Sequence, residues 1–378
     1  MPMRLVSLLL ALMAPGLALA QQTRAPEPAQ KSRVKVETVA RGLVHPWALQ
    51  FLPDGRMLVT ERPGRLRLVT REGRISPAIT GVPPVFANGQ GGLLDVALDP
   101  SFATSGTIYL SYAEPRGAGT AGTSVARAKL VTSGDGGRLD DAKVIFRQQP
   151  QTSGGLHFGS RIAIARDGNL FVTLGERYQR DKAQDLTVHY GKVVRITPDG
   201  GVPKDNPVRA GRDIQPEIWS HGHRNPQSAA IHPVTGKLWT VEHGARGGDE
   251  INIPQAGKNY GWPVITYGID YTGAKIGEGT RKDGLEQPIY YWDPSIAPSG
   301  MAFYTGDLMP AWKGNLFVGA LAGQHLARLV LDGERVVAEE RLLATEGERI
   351  RDVRQGPDGA LYALTDHPEG RILRITAQ

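Results

Sequence analysis

The chain has 378 residues, 40% hydrophobic and 22% charged, the mixture of an ordinary globular protein. A net charge of +6 carried by scattered Lys and Arg, with no basic block and no interleaved aromatics, argues against nucleic-acid binding. The absence of cysteine excludes disulfides, thiolate metal ligands and a cysteine nucleophile.

Residues 1–20 read as a secretory signal. Arg4 supplies the positive start, Leu5 to Leu19 the apolar stretch, and Ala18-Leu19-Ala20 the small-residue cleavage pattern. Pro15-Gly16 interrupts the stretch, which is short for a bilayer span, so stable membrane insertion is not expected. A periplasmic or secreted protein follows. Residues 21–32, rich in Pro, Gln and Ala, read as a disordered leader.

From there a pattern recurs six times: an apolar run, a small-residue turn, then a second strand-like run. The turns close on Gly55, Gly106, Gly168, Gly236, Gly314 and Gly359, spaced 51, 62, 68, 78 and 45 residues apart. The runs before them are 48–51, 95–98, 161–164, 228–231, 299–304 and 352–355. The runs after them are 56–60, 107–111, 169–173, 237–241, 315–319 and 360–364. A unit of this kind cannot bury its own faces and must stack on copies of itself. The period suits four short strands and variable loops, which is one propeller blade. The expected fold is all-β: one domain over residues 33–378, a six-bladed β-propeller of four-stranded antiparallel blades.

The residues just upstream of each first strand occupy the same place in every blade, so a ring would gather them at one end of its channel. In chain order these places hold His45-Pro46-Trp47, Asn88 to Gly92, His157-Phe158-Gly159, His223 to Gln227, Ala297 to Gly300, and Arg349-Ile350-Arg351. A base candidate, three arginines and several amides in one register point to a small-molecule site. His157 is available as a general base near neutral pH, and Glu176, just past the next strand, is placed to orient its imidazole. His221 and His223 alone, with no third ligand beside them in the sequence, do not make a case for a His-metal site. Arg224 offers a donor fork for a carboxylate and Asn225 both donor and acceptor. The run Glu242 to Glu250 combines glycines, whose carbonyls are free, with adjacent carboxylates, a combination that favours Ca²⁺. Arg349 and Arg351 alternate onto one face, and Trp292 brings an aromatic beside the cationic cluster.

These residues together resemble the soluble pyrroloquinoline-quinone (PQQ) dependent sugar dehydrogenases, the glucose/sorbosone dehydrogenase family, and within it the aldose branch. The likeness runs from about Arg41 to Thr376. It rests on Gly42 to Trp47, Gly89 to Asp95, Gly222 to Gln227, Gly247 to Asn252, Asn259 to Pro263 and Arg349 to Val353, in order and on the blades where the repeat places them. The resemblance implies PQQ over the channel mouth, with His157 as catalytic base. It implies Gln90, Arg224, Asn225, Arg349 and Arg351 as cofactor contacts, Trp292 over the quinone and Tyr271 near it. The carbonyls of Gly244 and Ala245 would bind the Ca²⁺ that also ligates PQQ, and Glu250 with the Tyr260 carbonyl a second Ca²⁺.

The implied reaction is oxidation of an aldose at C1 to an aldonolactone, the hydride passing to PQQ and then, as electrons, to an external acceptor. A monomer or homodimer is expected. Two positions depart from the glucose-specific branch. A lysine that reaches the cofactor there is replaced by the run Leu321 to His325, so Gln324 or His325 is the candidate substitute. An acidic residue before the base is replaced by Leu156, which removes a sugar-hydroxyl acceptor and points to broad specificity. A Ca²⁺-dependent propeller lactonase and a non-catalytic binding propeller are the alternative readings of the same architecture.

Overall fold

The computed structural model describes residues 24–207, 211 and 213–377; the expected signal sequence and residues 21–23 lie outside this range. The six glycine turns all form as the repeat requires, and each glycine takes a left-handed φ between 66° and 84°. The strands on either side pair as hairpins. Those following the turn, such as Met57–Glu61, Leu170–Leu174, Leu238–Glu242 and Leu316–Ala320, are buried along their whole length. Covered on both faces by neighbouring blades, they read as continuous apolar runs rather than alternating ones.

Each hairpin grows outward into a blade. Blade 2 is Leu93–Leu98, Thr107–Pro115, Ala121–Ser133 and Gly136–Arg147. Blade 3 is Ile162–Ile164, Leu170–Leu174, Lys192–Ile196 and Ile218–His221. Blade 4 is Pro226–Ile231, Leu238–Glu242, Asp249–Asn252 and Tyr290–Trp292, and blade 5 is Pro298–Phe303, Leu316–Ala320, His325–Asp332 and Arg335–Leu342. Blade 6 joins the two ends of the chain: Ile350–Gln355, Leu361–Thr365 and Gly370–Ala377 are completed by Val34–Leu43, whose Val34 pairs with Ala377 and Leu43 with Gly370. Blade 1 has three regular strands, Pro46–Phe51, Met57–Glu61 and Arg65–Val69. Its outer position is taken by residues 75–79, which bond back through Ser76 N–H to Leu68 O and Ile79 N–H to Leu66 O. Pro77, which has no N–H to donate, falls between those two bonds and breaks the ladder.

The first strand of each blade touches the first strands of its two neighbours, and that of blade 6 returns to that of blade 1. The ring therefore closes around an axis. A charged knot fills that axis below the mouth. Arg161, buried, pairs with Asp95 (3.0 Å) and Asp352 (3.3 Å) and donates to Gln227 O. Arg354 pairs with Asp352 (3.1 Å), and Asp352 accepts from Leu49 N–H. Two guanidiniums balance two carboxylates. Gly300 of blade 5 lies so close that a Cβ there would stand 2.0 Å from Asp352 Oδ1, so all six blades meet at this knot.

The leader is not free from residue 24 onward. Ala25 is buried and its N–H donates to the Tyr290 hydroxyl; Pro26 O accepts from Glu339 N–H; Ser32 bonds Glu340 and Trp312. The composition of residues 21–32 suggested disorder, but a few side chains and backbone groups suffice to dock residues 24–32 on the outer strands of blades 4 and 5. Among the described residues no helix is long and apolar enough to cross a membrane.

Candidate active site

Above the knot lies a cavity of about 540 Å³ to which every blade contributes: His45, Trp47 and Arg62, then Gln90, Phe158, Gln227, His243, Leu321, Arg349, Arg351 and Asp366, among others. Its size is that of a small-molecule pocket. The upstream positions of the repeat do meet at one mouth. A second set meets with them from the exits of the second strands: Arg62, Glu176, His243, Leu321 and Asp366. Of these, sequence reasoning found Glu176 and missed Arg62 and Asp366, although the same register argument identifies them.

His157 is buried on a left-handed turn (φ 52°). Its N–H donates to Gln90 Oε1 (2.8 Å), and its Nδ1–H donates to Glu176 Oε1 (3.0 Å). A carboxylate cannot donate, so the proton sits on Nδ1 and the Nε2 lone pair is left open; no hydrogen bond among the described residues engages it. Burial pushes the imidazole below its ordinary value, Glu176 pulls it back up, and Arg224 and Arg177 push it down again. The result is a neutral imidazole at pH 7. The Tyr178 ring, largely exposed, stands 5.4 Å from the imidazole.

Cations dominate the rest of the mouth. Arg351 bonds Asp366 (2.8 Å) and Gln227 (3.2 Å), and Arg349 stands 3.6 Å from Asp366. Burial alone would raise the Asp366 carboxyl; Arg351, His45 and Arg349 outweigh it and hold it well below the usual range. His243 is pushed down to about 3 by burial, and its Nε2–H donates to Pro298 O, so it too is neutral. Arg224 is buried, with Nη1 donating to Gly244 O and His243 O. Its Nε, the Nε of Arg351, the Nδ2 of Asn225 and the second oxygen of Glu176 are all buried without a partner. Buried polar atoms left without partners are expensive unless something else completes them.

Beside the axial cavity a smaller one of about 250 Å³ is lined by Glu176, Tyr178, Arg180, Arg224, Ala245, Trp262 and Tyr271. Behind it a cavity of about 10 Å³, room for a single water or ion, is lined by Gly244, Glu250, Tyr260 and Glu242. Burial and the neighbouring Glu242 push the Glu250 carboxyl well above its ordinary value. A cation would relieve that repulsion. Gly244, Glu250 and Tyr260 thus converge, while Ala245 faces the neighbouring cavity. Among the described residues no group of three or more His, Asp or Glu is arranged to hold a metal, so any ion here depends on carbonyl oxygens.

Two expected contacts are not where the resemblance put them. Trp292 is buried in the core, its indole N–H on Glu339 Oε2 (3.1 Å) and its ring edge-on to Tyr290. It lies on the outermost strand of blade 4 with its ring turned toward blade 5, and it lines none of these cavities. Gln324 is exposed and also lines none of them; His325 is buried with Nδ1–H on Gly323 O. Leu321 takes the blade-5 position at the axial cavity.

The donor set fits PQQ, a planar tricarboxylate: three guanidiniums and two amide side chains line one cavity of suitable size, Arg224 lines the smaller cavity beside it with an unpartnered Nε, and Asn225, fully buried with Oδ1 accepting from Gly159 N–H and Nδ2 unpartnered, lines none of the three. Residues 43–374 match the family model described as Glucose / Sorbosone dehydrogenase. The aldose sugar dehydrogenase YliI of Escherichia coli (strain K12) is 49% identical over 351 residues, 92% of this chain and 94% of that protein. A crystal structure of a glucose dehydrogenase superposes with a TM-score of 0.89 at 54% identity, covering 91% of this chain and all of the other. The PQQ-bound form of an aldose sugar dehydrogenase from Streptomyces coelicolor gives 0.76 at 29% identity, covering 93% of this chain and all of the other.

Proposed function

Because the chain belongs to the glucose/sorbosone dehydrogenase family, we propose that it oxidises aldose sugars at C1 to aldonolactones, with PQQ and Ca²⁺ as cofactors. The observation that carries this reading is the His157–Glu176 pair, with Nε2 open, beside an arginine-lined cavity built by all six blades. Gln90, Arg349 and Arg351 would hold the carboxylates of PQQ from the axial side, with Arg224 and Asn225 completing the cradle. The carbonyls of Gly244 and Ala245 would hold Ca²⁺, and Glu250 with the Tyr260 carbonyl a second ion. When bound, PQQ supplies the two-electron acceptor for the hydride that leaves C1, and Ca²⁺ supplies positive charge at its quinone oxygens.

The protein's own part is proton handling and position. His157 Nε2 takes the proton of the C1 hydroxyl, and Glu176 balances the charge that appears on the imidazole. Tyr178 and Tyr271, both largely exposed, offer faces on which a pyranose ring can lie. Leu156, half out in solvent beside the base, makes no hydroxyl-specific demand. Broad aldose specificity follows.

The test is reconstitution of purified apo-protein with PQQ and Ca²⁺, followed by dye-linked oxidation of an aldose panel. Activity that needs both additions and spans several aldoses is expected. Activity on glucose alone would correct the specificity, and no activity together with no thermal shift on adding PQQ would overturn the proposal.

A further inference from the structure

We propose that Arg177 is a positioning residue for His157: it clamps the loop Gly154–Phe158 in the conformation that presents the base. This rests on reading His157 as the base. Arg177 is 3% exposed, yet among the described residues it makes no salt bridge. Its Nη1–H donates to Leu156 O (3.0 Å) and its Nη2–H to Gly154 O (2.8 Å). Its guanidinium lies 3.7 Å from the centre of the Phe158 ring. One planar fork therefore grips the residues before His157 by their carbonyls and the residue after it by its ring, which lysine cannot reproduce. Its Nε is buried without a partner. A buried cation with no carboxylate in direct contact is costly, the charge of the adjacent Glu176 offsetting only part of the burial, and such cost is retained where function needs it.

The backbone supports the same reading. Arg177 and Tyr178 are consecutive non-glycine residues with left-handed φ, 56° and 62°, facing His157 at 52°. Strain in both loops of one catalytic pair is held only if the surroundings over-determine it. The kink sends Arg177 inward beneath the loop and Tyr178 outward over the imidazole. Blade 2 also holds this loop: Gln90 N–H donates to Gly155 O, Gln90 Oε1 accepts from His157 N–H, and Thr123 Oγ1–H donates to Phe158 O.

Arg177 also contributes charge. The groups acting on the imidazole are Glu176, which favours the protonated form, and Arg224 and Arg177, which oppose it; His243 and the Tyr178 phenol are close by, and His243 is neutral. Removing Arg177's charge leaves Glu176 less opposed, so the imidazole should bind its proton more tightly.

The test follows the His157 Cε1–H resonance by NMR against pH in the cofactor-free protein, and kcat and KM after reconstitution. In R177M the titration midpoint is expected to rise by about 0.5 pH unit or more, whereas R177K, which keeps the charge, stays near wild type. Both variants should lose about tenfold or more in kcat, with KM for the sugar moving less, because each loses the fork. An unchanged midpoint in R177M, or in R177Q if R177M is too unstable, overturns the electrostatic role. A wild-type kcat in R177K overturns the clamp. The titration needs no cofactor, so it judges Arg177 even if reconstitution fails and the dehydrogenase reading falls.

Discussion

His157 is neutral with Nε2 open because it is buried and because Glu176 fixes which nitrogen carries the proton. Replacing it by Asn, which tolerates the left-handed turn better than Ala would, should leave the fold intact and lower kcat by about 10²-fold or more. Wild-type kcat in the PQQ-loaded variant would remove His157 from the mechanism. The pH dependence carries a sign as well. Activity needs the unprotonated imidazole, so kcat/KM should fall on the acid side, at a pH below the ordinary imidazole value of about 6.5. Glu176→Gln removes the charge that favours protonation, so that acid limb should move still lower while kcat drops. A limb that moves up, or does not move, contradicts the pairing.

At the scale of elements, the base depends on how closely two loops approach. A Cβ on Gly175 would stand 2.1 Å from His157 O and 2.9 Å from Asn225 Oδ1. Gly175→Ala should therefore displace the His157 turn and cost about tenfold to a hundredfold in kcat, with an unchanged far-UV circular dichroism spectrum because the blades themselves are untouched. Full activity would show that the loops can yield. This closeness explains what the sequence shows and what it hides. Glycine turns and apolar runs are local signals, so the twelve inner strands were legible to within two residues, except that Thr107–Pro115 runs four residues past its expected end. The irregular edge of blade 1 hinges on Pro77. Trp292 was expected beside the cationic cluster, but the sequence does not say which face of its strand is inward; Glu339, 47 positions away, decides that. The register argument reaches Asp366, but its pairing with Arg351 is visible only once the ring is closed.

Over the whole molecule, the knot of Arg161, Arg354, Asp95 and Asp352 serves as floor to the cavity, sharing Trp47 and Gln227 with it. Burial raises the Asp95 carboxyl, and the two arginines are what keep charge there tolerable. Arg161→Met leaves two carboxylates facing Arg354 alone, and denaturant unfolding should show a loss of about 3–5 kcal/mol. A change below about 1 kcal/mol would mean that the knot fills space rather than ties blades. The pairing of Val34–Leu43 with Gly370–Ala377 has a different consequence, one of timing. Blade 6 lacks a strand until the final residues of the pairing have been made, and until then blades 1 and 6 have no shared sheet to hold them together. Individual hairpins can form as they emerge, yet the ring cannot shut, and contacts of such long sequence separation form slowly. A ribosome that stalls before Gly370 should release an open arc, sticky along two raw flanks and quickly degraded, however many blades it already contains.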